Sequence, residues 1–97
     1  MAEHASVIRV AHFPIAADKR QRLITLLEGL SGQVRNMDGC FGAQVCAVRE
    51  SSNEVAVVSR WANQAALDKM TQSGITTNQE VLGLLSGQPR TEHFEPV

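Results

Sequence analysis

Few side chains in this sequence are suited to chemistry, and His12 is the first of them. It follows Ile8 and Val10 at alternate positions of a predicted strand, so the three side chains point to one face. An imidazole ionises near neutral pH, and one beside apolar neighbours is placed to take a proton from a phenolic substrate. We therefore predict His12 as a catalytic base. The alternative is a structural histidine that bonds to a backbone carbonyl.

Two further candidates lie at the end of a predicted strand and the start of the helix after it. Trp61 is suited to stack on a flat aromatic ligand or to donate its indole N–H to a bound oxygen atom. It is equally suited to anchor the packing of the corner. Asn63 stands where the helix needs an N-cap, and contact with a ligand is its second interpretation.

Polar residues within apolar strand faces supply the remaining candidates. Arg60 shares a face with Ala56 and Val58. Gln44 shares a face with Gly42 and Cys46. Each either lines a pocket or pairs across an interface. His93, on the last predicted strand, is placed to reach the rim of a pocket. The residues predicted to bind substrate are Trp61, Asn63, Arg60, Gln44 and His93.

No motif in the sequence indicates a metal or another cofactor. There is no Gly-x-Ser-x-Gly, no glycine-rich phosphate loop and no pair of histidines four residues apart. Cys40 and Cys46 lie in one predicted strand, where six residues span about 20 Å, too far for a disulfide. We expect both to be reduced, buried thiols and predict that the protein uses no cofactor.

The composition indicates one domain, residues 1–97 with a core of about 6–96. Apolar residues make up 43% and charged residues 20%, as in ordinary globular proteins. The net charge is −1 with both signs interspersed, so no basic patch for nucleic acid or an anionic membrane is visible. Nothing resembles a signal peptide or a membrane span, and we expect the protein in the cytoplasm.

The first half of the chain predicts a strand and an amphipathic helix. Residues 6–13 are rich in β-formers, and Pro14 ends the run. Asp18 with Gln21 forms a capping-box pattern that predicts the start of a helix. The apolar face of that helix follows at helical spacing and comprises Leu23, Leu26, Leu27, Leu30 and Val34.

The second half predicts a hairpin, two helices and a last strand. Strands at 40–49 and 54–61 flank a turn at 51–53, and both strands have apolar side chains on both faces. Cys40, Gly42, Gln44 and Cys46 are predicted to share one face. A helix at 63–73 ends at Gly74, a capping-box pattern at Thr77 precedes a short third helix, and 90–95 forms a polar edge strand.

This order of elements predicts an α+β, ferredoxin-like split βαβ fold with a four-stranded antiparallel sheet. Right-handed crossovers place the helices on one face of the sheet. The other face stays bare although it carries apolar side chains, and such a face usually marks a protein interface. We therefore predict a homodimer formed through the sheet faces.

Two segments resemble the antibiotic biosynthesis monooxygenase (ABM) domain family. Residues 38–42, Asp-Gly-Cys-Phe-Gly, resemble its Pro-Gly-Cys-x-Gly turn. Residues 57–67, Val-Val-Ser-Arg-Trp-Ala-Asn-Gln-Ala-Ala-Leu, resemble its strand-to-helix segment. The resemblance implies a dimeric α/β barrel of back-to-back sheets, with a pocket between the sheet and the helices of each protomer. The predicted topology also matches, and the resemblance covers about residues 6–96, with these two segments as its specific motifs.

The family includes cofactor-independent oxygenases of electron-rich phenols or quinols, haem-binding relatives and many members without known activity. Thr71 stands where the haem-degrading branch has a histidine, and the chain contains no tyrosine, which excludes a tyrosine-assisted phenol site. The resemblance thus implies a monooxygenase acting on a small aromatic quinol or phenol without a prosthetic group. The alternative is a dimer of the same fold that binds a small hydrophobic or aromatic molecule without catalysis; a haem-binding relative is the weakest of the three.

Overall fold

The computed structural model describes residues 5–97, and its elements follow the predicted order. The described chain forms four strands and three α-helices in the order β-α-β-β-α-α-β, with a single 3₁₀ turn before α1 and another before α3. The elements are β1 Val7–Pro14, α1 Arg20–Arg35, β2 Cys40–Ala47, β3 Glu54–Trp61, α2 Gln64–Gln72, α3 Gln79–Leu84 and β4 Arg90–Phe94. The 3₁₀ turns comprise Ala17–Lys19 and Ile75–Thr77.

The strands form one antiparallel sheet in the order β2-β3-β1-β4. The two middle strands are β1 and β3, and β4 pairs only with β1 along one edge. This topology confirms the predicted α+β, ferredoxin-like fold.

The helices cover one face of the sheet, and the core lies between the two layers. One cluster of buried side chains surrounds Trp61 and includes Val34, Leu67 and Met70. A second cluster lies towards the other end of β3 and comprises Ile15, Leu23, Leu27, Val55 and Val81. The periodic leucines of α1 therefore pack where the spacing predicted, with Leu26 and Leu30 at the margin of the second cluster.

The other face of the sheet, which we call the outer face, contributes nothing to these clusters. It carries Ile8, Val10 and His12 of β1, and their neighbours on β3 are Arg60, Val58 and Ala56. None of these side chains belongs to either core cluster. The outer face thus has the mixed apolar and polar character that the sequence predicted, and its cover by a second copy stays a prediction.

A bulge in β2 corrects the predicted face of one cysteine. The register shifts between Cys40, which pairs with Trp61, and Gly42, which pairs with Arg60. The extra residue turns Cys40 to the helix-covered side, where it packs against the Trp61 cluster. The prediction that Cys40 shares a face with Gly42 is therefore wrong, because strict alternation does not continue through a bulge.

Two of the predicted helix starts also differ from the structure. Lys19, not Asp18, is the N-cap of α1 and makes no side-chain capping bond, because residues 17–19 already form a 3₁₀ turn. Asn78 rather than Thr77 caps α3, and its side chain accepts a 3.1 Å hydrogen bond from the backbone N–H of Val81. In both cases a 3₁₀ turn occupies the residue that the capping-box pattern selected.

Candidate functional site

A cavity of about 250 Å³ lies between the sheet and its helices. Its walls are mostly apolar: Ala11, Phe13 and Val57 line it from the sheet, and Leu27, Leu30 and Val34 from α1. Its polar lining residues are Arg9, Ser31, Ser59, Thr76, Asn78 and Thr91. An apolar concave site with a few polar groups is the usual form of a small-molecule site.

Arg9 is the one charged residue among the described residues that line this cavity. Within residues 5–97 its guanidinium takes part in no ion pair and in no side-chain hydrogen bond. Burial lowers the pKa of Arg9, because the charged form loses part of its hydration. The cavity therefore contains a partly buried positive charge without a protein counter-ion among its described lining residues.

Ser59 lies beside Arg9 in the cavity, because the two residues are directly paired between β1 and β3. The hydroxyl oxygen of Ser59 accepts a 2.9 Å hydrogen bond from Nε1 of Trp61. A hydroxyl that accepts this bond still has its own proton to donate. Ser59 is 2% exposed and lines the cavity, and no hydrogen bond donated by its hydroxyl to a residue within 5–97 is seen.

His12 lies on the outer face, with the sheet between its ring and the cavity. Nδ1 of His12 is 2.7 Å from Oε1 of Glu54, and Nε2 is 2.8 Å from Oε1 of Glu92. A neutral imidazole donates from one ring nitrogen and accepts at the other, so the donor in each contact depends on the tautomer of the ring. The catalytic role of His12 stays a prediction, and it would require a ligand on the outer face.

The residues predicted to bind substrate are dispersed rather than gathered. Trp61 is fully buried in the core and does not line the cavity, although its indole N–H donates a hydrogen bond to Ser59, which does. Asn63 caps α2, where its side chain accepts a 2.9 Å hydrogen bond from the backbone N–H of Ala66. Trp61 thus packs in the core and Asn63 caps a helix, which are the structural alternatives that the sequence analysis gave for these two residues.

Arg60 and Gln44 lie on the outer face, and both line a second pocket of about 310 Å³ at the β2 side of the sheet, which Arg35 of α1 also lines. Nη2 of Arg60 donates a 3.3 Å hydrogen bond to the carbonyl oxygen of Phe41, next to the bulge. His93 is exposed on β4 and is paired with Arg9, so it shares the cavity's face without lining the cavity. None of the six predicted site residues lines the cavity.

The sequence contains a signal for Arg9, which is not among the predicted site residues. Arg9 alternates with Val7, Ala11 and Phe13, which makes it a lone cation on an apolar strand face. The same criterion selected Arg60 and Gln44. Ser59 had no comparable signal, because its importance depends on the strand register that places it beside Arg9.

In residues 5–97 no group of three or more His, Cys, Asp or Glu side chains is arranged to hold a metal ion. Across this range no helix has the length and apolar character needed to cross a bilayer. Cys40 and Cys46 are both free thiols, but both are half-buried, so the expectation that they are buried is wrong.

Comparison with known proteins places the chain in a family. The model of the family described as "Antibiotic biosynthesis monooxygenase" matches residues 6–78, well over half of the chain. No curated protein matches. Among solved structures, Rv0793 from Mycobacterium tuberculosis is 24% identical with a TM-score of 0.82, and the match covers 96% of each chain.

Two further structures have the same fold. SO0527 from Shewanella oneidensis is 21% identical with a TM-score of 0.83, covering 97% of this chain and 93% of the other. A protein named antibiotic biosynthesis monooxygenase is 14% identical with a TM-score of 0.81, and the match covers 94% of this chain and 98% of the other. These likenesses support the fold, and the family model supports the family. The chain therefore belongs to the antibiotic biosynthesis monooxygenase family.

Proposed function

We propose that this protein is a monooxygenase that oxidises a small, electron-rich phenol or quinol with O₂ and without a prosthetic group. The observation that supports this proposal is the apolar cavity between sheet and helices in a member of this family. Apolar walls exclude water from a bound aromatic ring and hold it in one orientation, and both effects favour its reaction with O₂.

The size of the cavity limits the ligand. Its volume of about 250 Å³ lies just below the range of about 300–1,000 Å³ that is usual for drug-sized ligands. A ligand of one to three fused rings is therefore the class that we propose. Phe13 and Val57 on the sheet and Leu27 and Leu30 on α1 would contact its faces.

The reaction balances without an external reductant when the substrate supplies all the electrons. In an anthrone, one CH₂ carbon becomes a carbonyl carbon by losing both hydrogens and gaining one oxygen atom from O₂. The other oxygen atom leaves as water together with those two hydrogens. The substrate loses four electrons and O₂ gains four, so the protein needs only to bind, orient and shield the reactants.

We further infer that the active form is a homodimer with two outer faces packed together. Val10 and Val58 are adjacent on this face, at the centre of the sheet, and Phe94 on β4 is 47% exposed. A chain of this length buries only about 60–65% of its unfolded surface, so burial of these side chains against a second copy would add to a small core.

The second candidate function is binding without catalysis. It is favoured by one observation: none of the described residues that line the cavity is Asp, Glu, His or Lys. The cavity thus offers no side chain of the usual kind for a general base. A protein that only binds or senses a small aromatic molecule needs no such group.

Oxygen uptake with a panel of naphthohydroquinones and anthrones, using isotopically labelled O₂, distinguishes the two functions. A monooxygenase consumes oxygen faster than buffer does and places one labelled atom in the product. The variant Val57→Phe fills the cavity and should lose this activity, whereas Val48→Phe, the same change beyond the end of β2, should retain it.

Thermal stabilisation by the same compounds without oxygen uptake would support the binding function and reject the enzyme. Neither stabilisation nor uptake across the panel would reject both functions.

A further inference from the structure

We propose that the cavity binds its ligand as a monoanion, with an ionised oxygen held between the Arg9 guanidinium and the Ser59 hydroxyl. The proposal depends on the proposed function only in taking the cavity as the ligand site. It names the charge of the ligand and the two residues that recognise it, neither of which follows from family membership.

The described residues provide no counter-ion for Arg9. Arg9 is the only charged residue among the described cavity-lining residues, and within residues 5–97 it forms no ion pair. Partly buried cations in proteins are normally paired, because removing a charge from water is costly. An anionic ligand would complete the pairing that the described protein residues leave open.

Arg9 and Ser59 both carry hydrogen-bond donors and lie next to each other in the lining of the cavity. Arg9 and Ser59 are directly paired between neighbouring strands, which puts their Cβ atoms about 4.5–5.5 Å apart on the cavity side. A guanidinium offers its N–H groups in a planar fork, and the Ser59 hydroxyl adds a further donor. Because Trp61 donates to the Ser59 oxygen at 2.9 Å, the serine proton is available for a ligand.

The remaining walls define the rest of the ligand. Phe13, Leu27 and Leu30 surround the cavity with hydrocarbon, and no second cation lines it among the described residues. The single cation of the cavity matches a ligand with a single negative charge, such as a phenolate, an enolate or an aromatic carboxylate. These ligands share a flat apolar body with one ionised oxygen-containing group.

The proposal also explains how a cavity without a general base could favour oxidation. A phenol would lose its proton to solvent water as it binds, because Arg9 stabilises the phenolate over the phenol. The phenolate is the more electron-rich form and is the better electron donor to O₂. Arg9 acts here by stabilising charge and accepts no proton.

Three probes of nearly equal shape test the charge preference: naphthoate, naphthylmethanol and naphthylmethylammonium. Titration calorimetry at neutral pH should show naphthoate binding about ten- to a hundredfold more tightly than naphthylmethanol, the range expected for a charge-assisted hydrogen bond. The cation should bind most weakly. Arg9→Met should remove the advantage of naphthoate and leave the affinity for naphthylmethanol within about threefold.

Matched variants separate the site from general effects of charge. Arg22→Met removes a cation from the exposed side of α1 and should leave all three affinities unchanged. Arg9→Lys keeps the positive charge but replaces the planar guanidinium by an ammonium group, so it should give an intermediate preference for naphthoate. Should Arg9→Met fail to fold, the Arg9→Lys and wild-type affinities still test the proposal.

Two results would overturn the proposal: naphthylmethanol binding as tightly as naphthoate, or Arg9→Met weakening all three probes equally. Oxygen uptake with anthrones together with no preference for naphthoate would leave the oxygenase and remove the anion site. Tight naphthoate binding without any turnover would leave the anion site and remove the oxygenase.

Discussion

Nε1 of Trp61 donates a 2.9 Å hydrogen bond to the hydroxyl oxygen of Ser59, two residues earlier in β3. Both side chains are buried, and both point to the helix-covered side of the sheet. Of the two, only Ser59 lines the cavity. The one tryptophan of the chain thus donates a hydrogen bond to a serine that lines the cavity.

Ser59→Ala should destabilise the protein and weaken anion binding. The substitution leaves the buried indole N–H of Trp61 without its acceptor, which costs about 1–3 kcal/mol in the free energy of unfolding. Urea denaturation measures this loss, and naphthoate titration measures the second effect, expected at about three- to tenfold. Ser52→Ala, in the exposed turn before β3, should change the free energy of unfolding by less than about 0.5 kcal/mol. Equal stabilities for the two variants would contradict the assigned hydrogen bond.

Gly39→Ala should be among the more destabilising substitutions in the chain. Gly39 has φ of +80°, and a Cβ added there would lie 2.6 Å from Cβ of Ala66 in α2. Strain in the left-handed region and the clash together should cost more than about 1 kcal/mol. Gly29→Ala is the matched control, because nothing lies within 4 Å of the added methyl on α1. The control should stabilise the helix by about 0.5–1 kcal/mol, and the two urea midpoints should therefore move in opposite directions.

Asn63→Ala should lower the free energy of unfolding by about 0.5–2 kcal/mol, since α2 loses its N-cap. Asn63→Asp keeps an oxygen that can accept from the Ala66 N–H and should retain most of the stability. Denaturation curves of both variants measure the effect, and naphthoate affinity should be the same in both folded proteins. A selective loss of affinity in a stable Asn63 variant would instead support the predicted contact with substrate.

Local patterns predicted those parts of the fold that depend on neighbouring residues. The alternation of β3 predicted its bounds, Glu54–Trp61, and Asn63 caps the helix that follows. The bulge at Cys40 and Gly42 was not predictable in this way, because it is a feature of how β2 pairs with β3. The 3₁₀ turn before α1 likewise depends on how the chain leaves the sheet.

The candidate site was harder to predict than the fold, because its residues come together only through strand register. The pairing of β1 with β3 places Arg9 beside Ser59, and no spacing within either segment indicates this contact. The contacts of His12 with Glu54 and Glu92 likewise join three strands. Strand parity correctly grouped His12 with Ile8 and Val10 but did not show which face the helices cover.

Val58→Lys should separate the proposed dimer. Val58 is adjacent to Val10 at the middle of the outer face, so a lysine there places two charges in the proposed interface. Sedimentation or light scattering at micromolar concentration should report a dimer for the wild type and a monomer for the variant. Gln21→Lys adds the same charge on the exposed side of α1 and should remain a dimer. A monomeric wild-type protein would reject the inferred assembly.

Arg9→Met should make the ligand-free protein more stable by about 0.5–2 kcal/mol, because an apolar side chain of similar length replaces a partly buried cation. Burial lowers the pKa of Arg9 in the folded state, so folding disfavours its charged form. That penalty is fully present at every pH below the folded pKa and disappears only as the pH rises through it towards the unfolded value. The guanidinium stays charged over the accessible range, so the gain should be constant between about pH 5 and pH 9. Thermal unfolding of wild type and variant across that range measures the difference. A less stable Arg9→Met protein would mean that Arg9 already has a partner in the free protein, and the anion site proposed for the cavity would lose its principal argument.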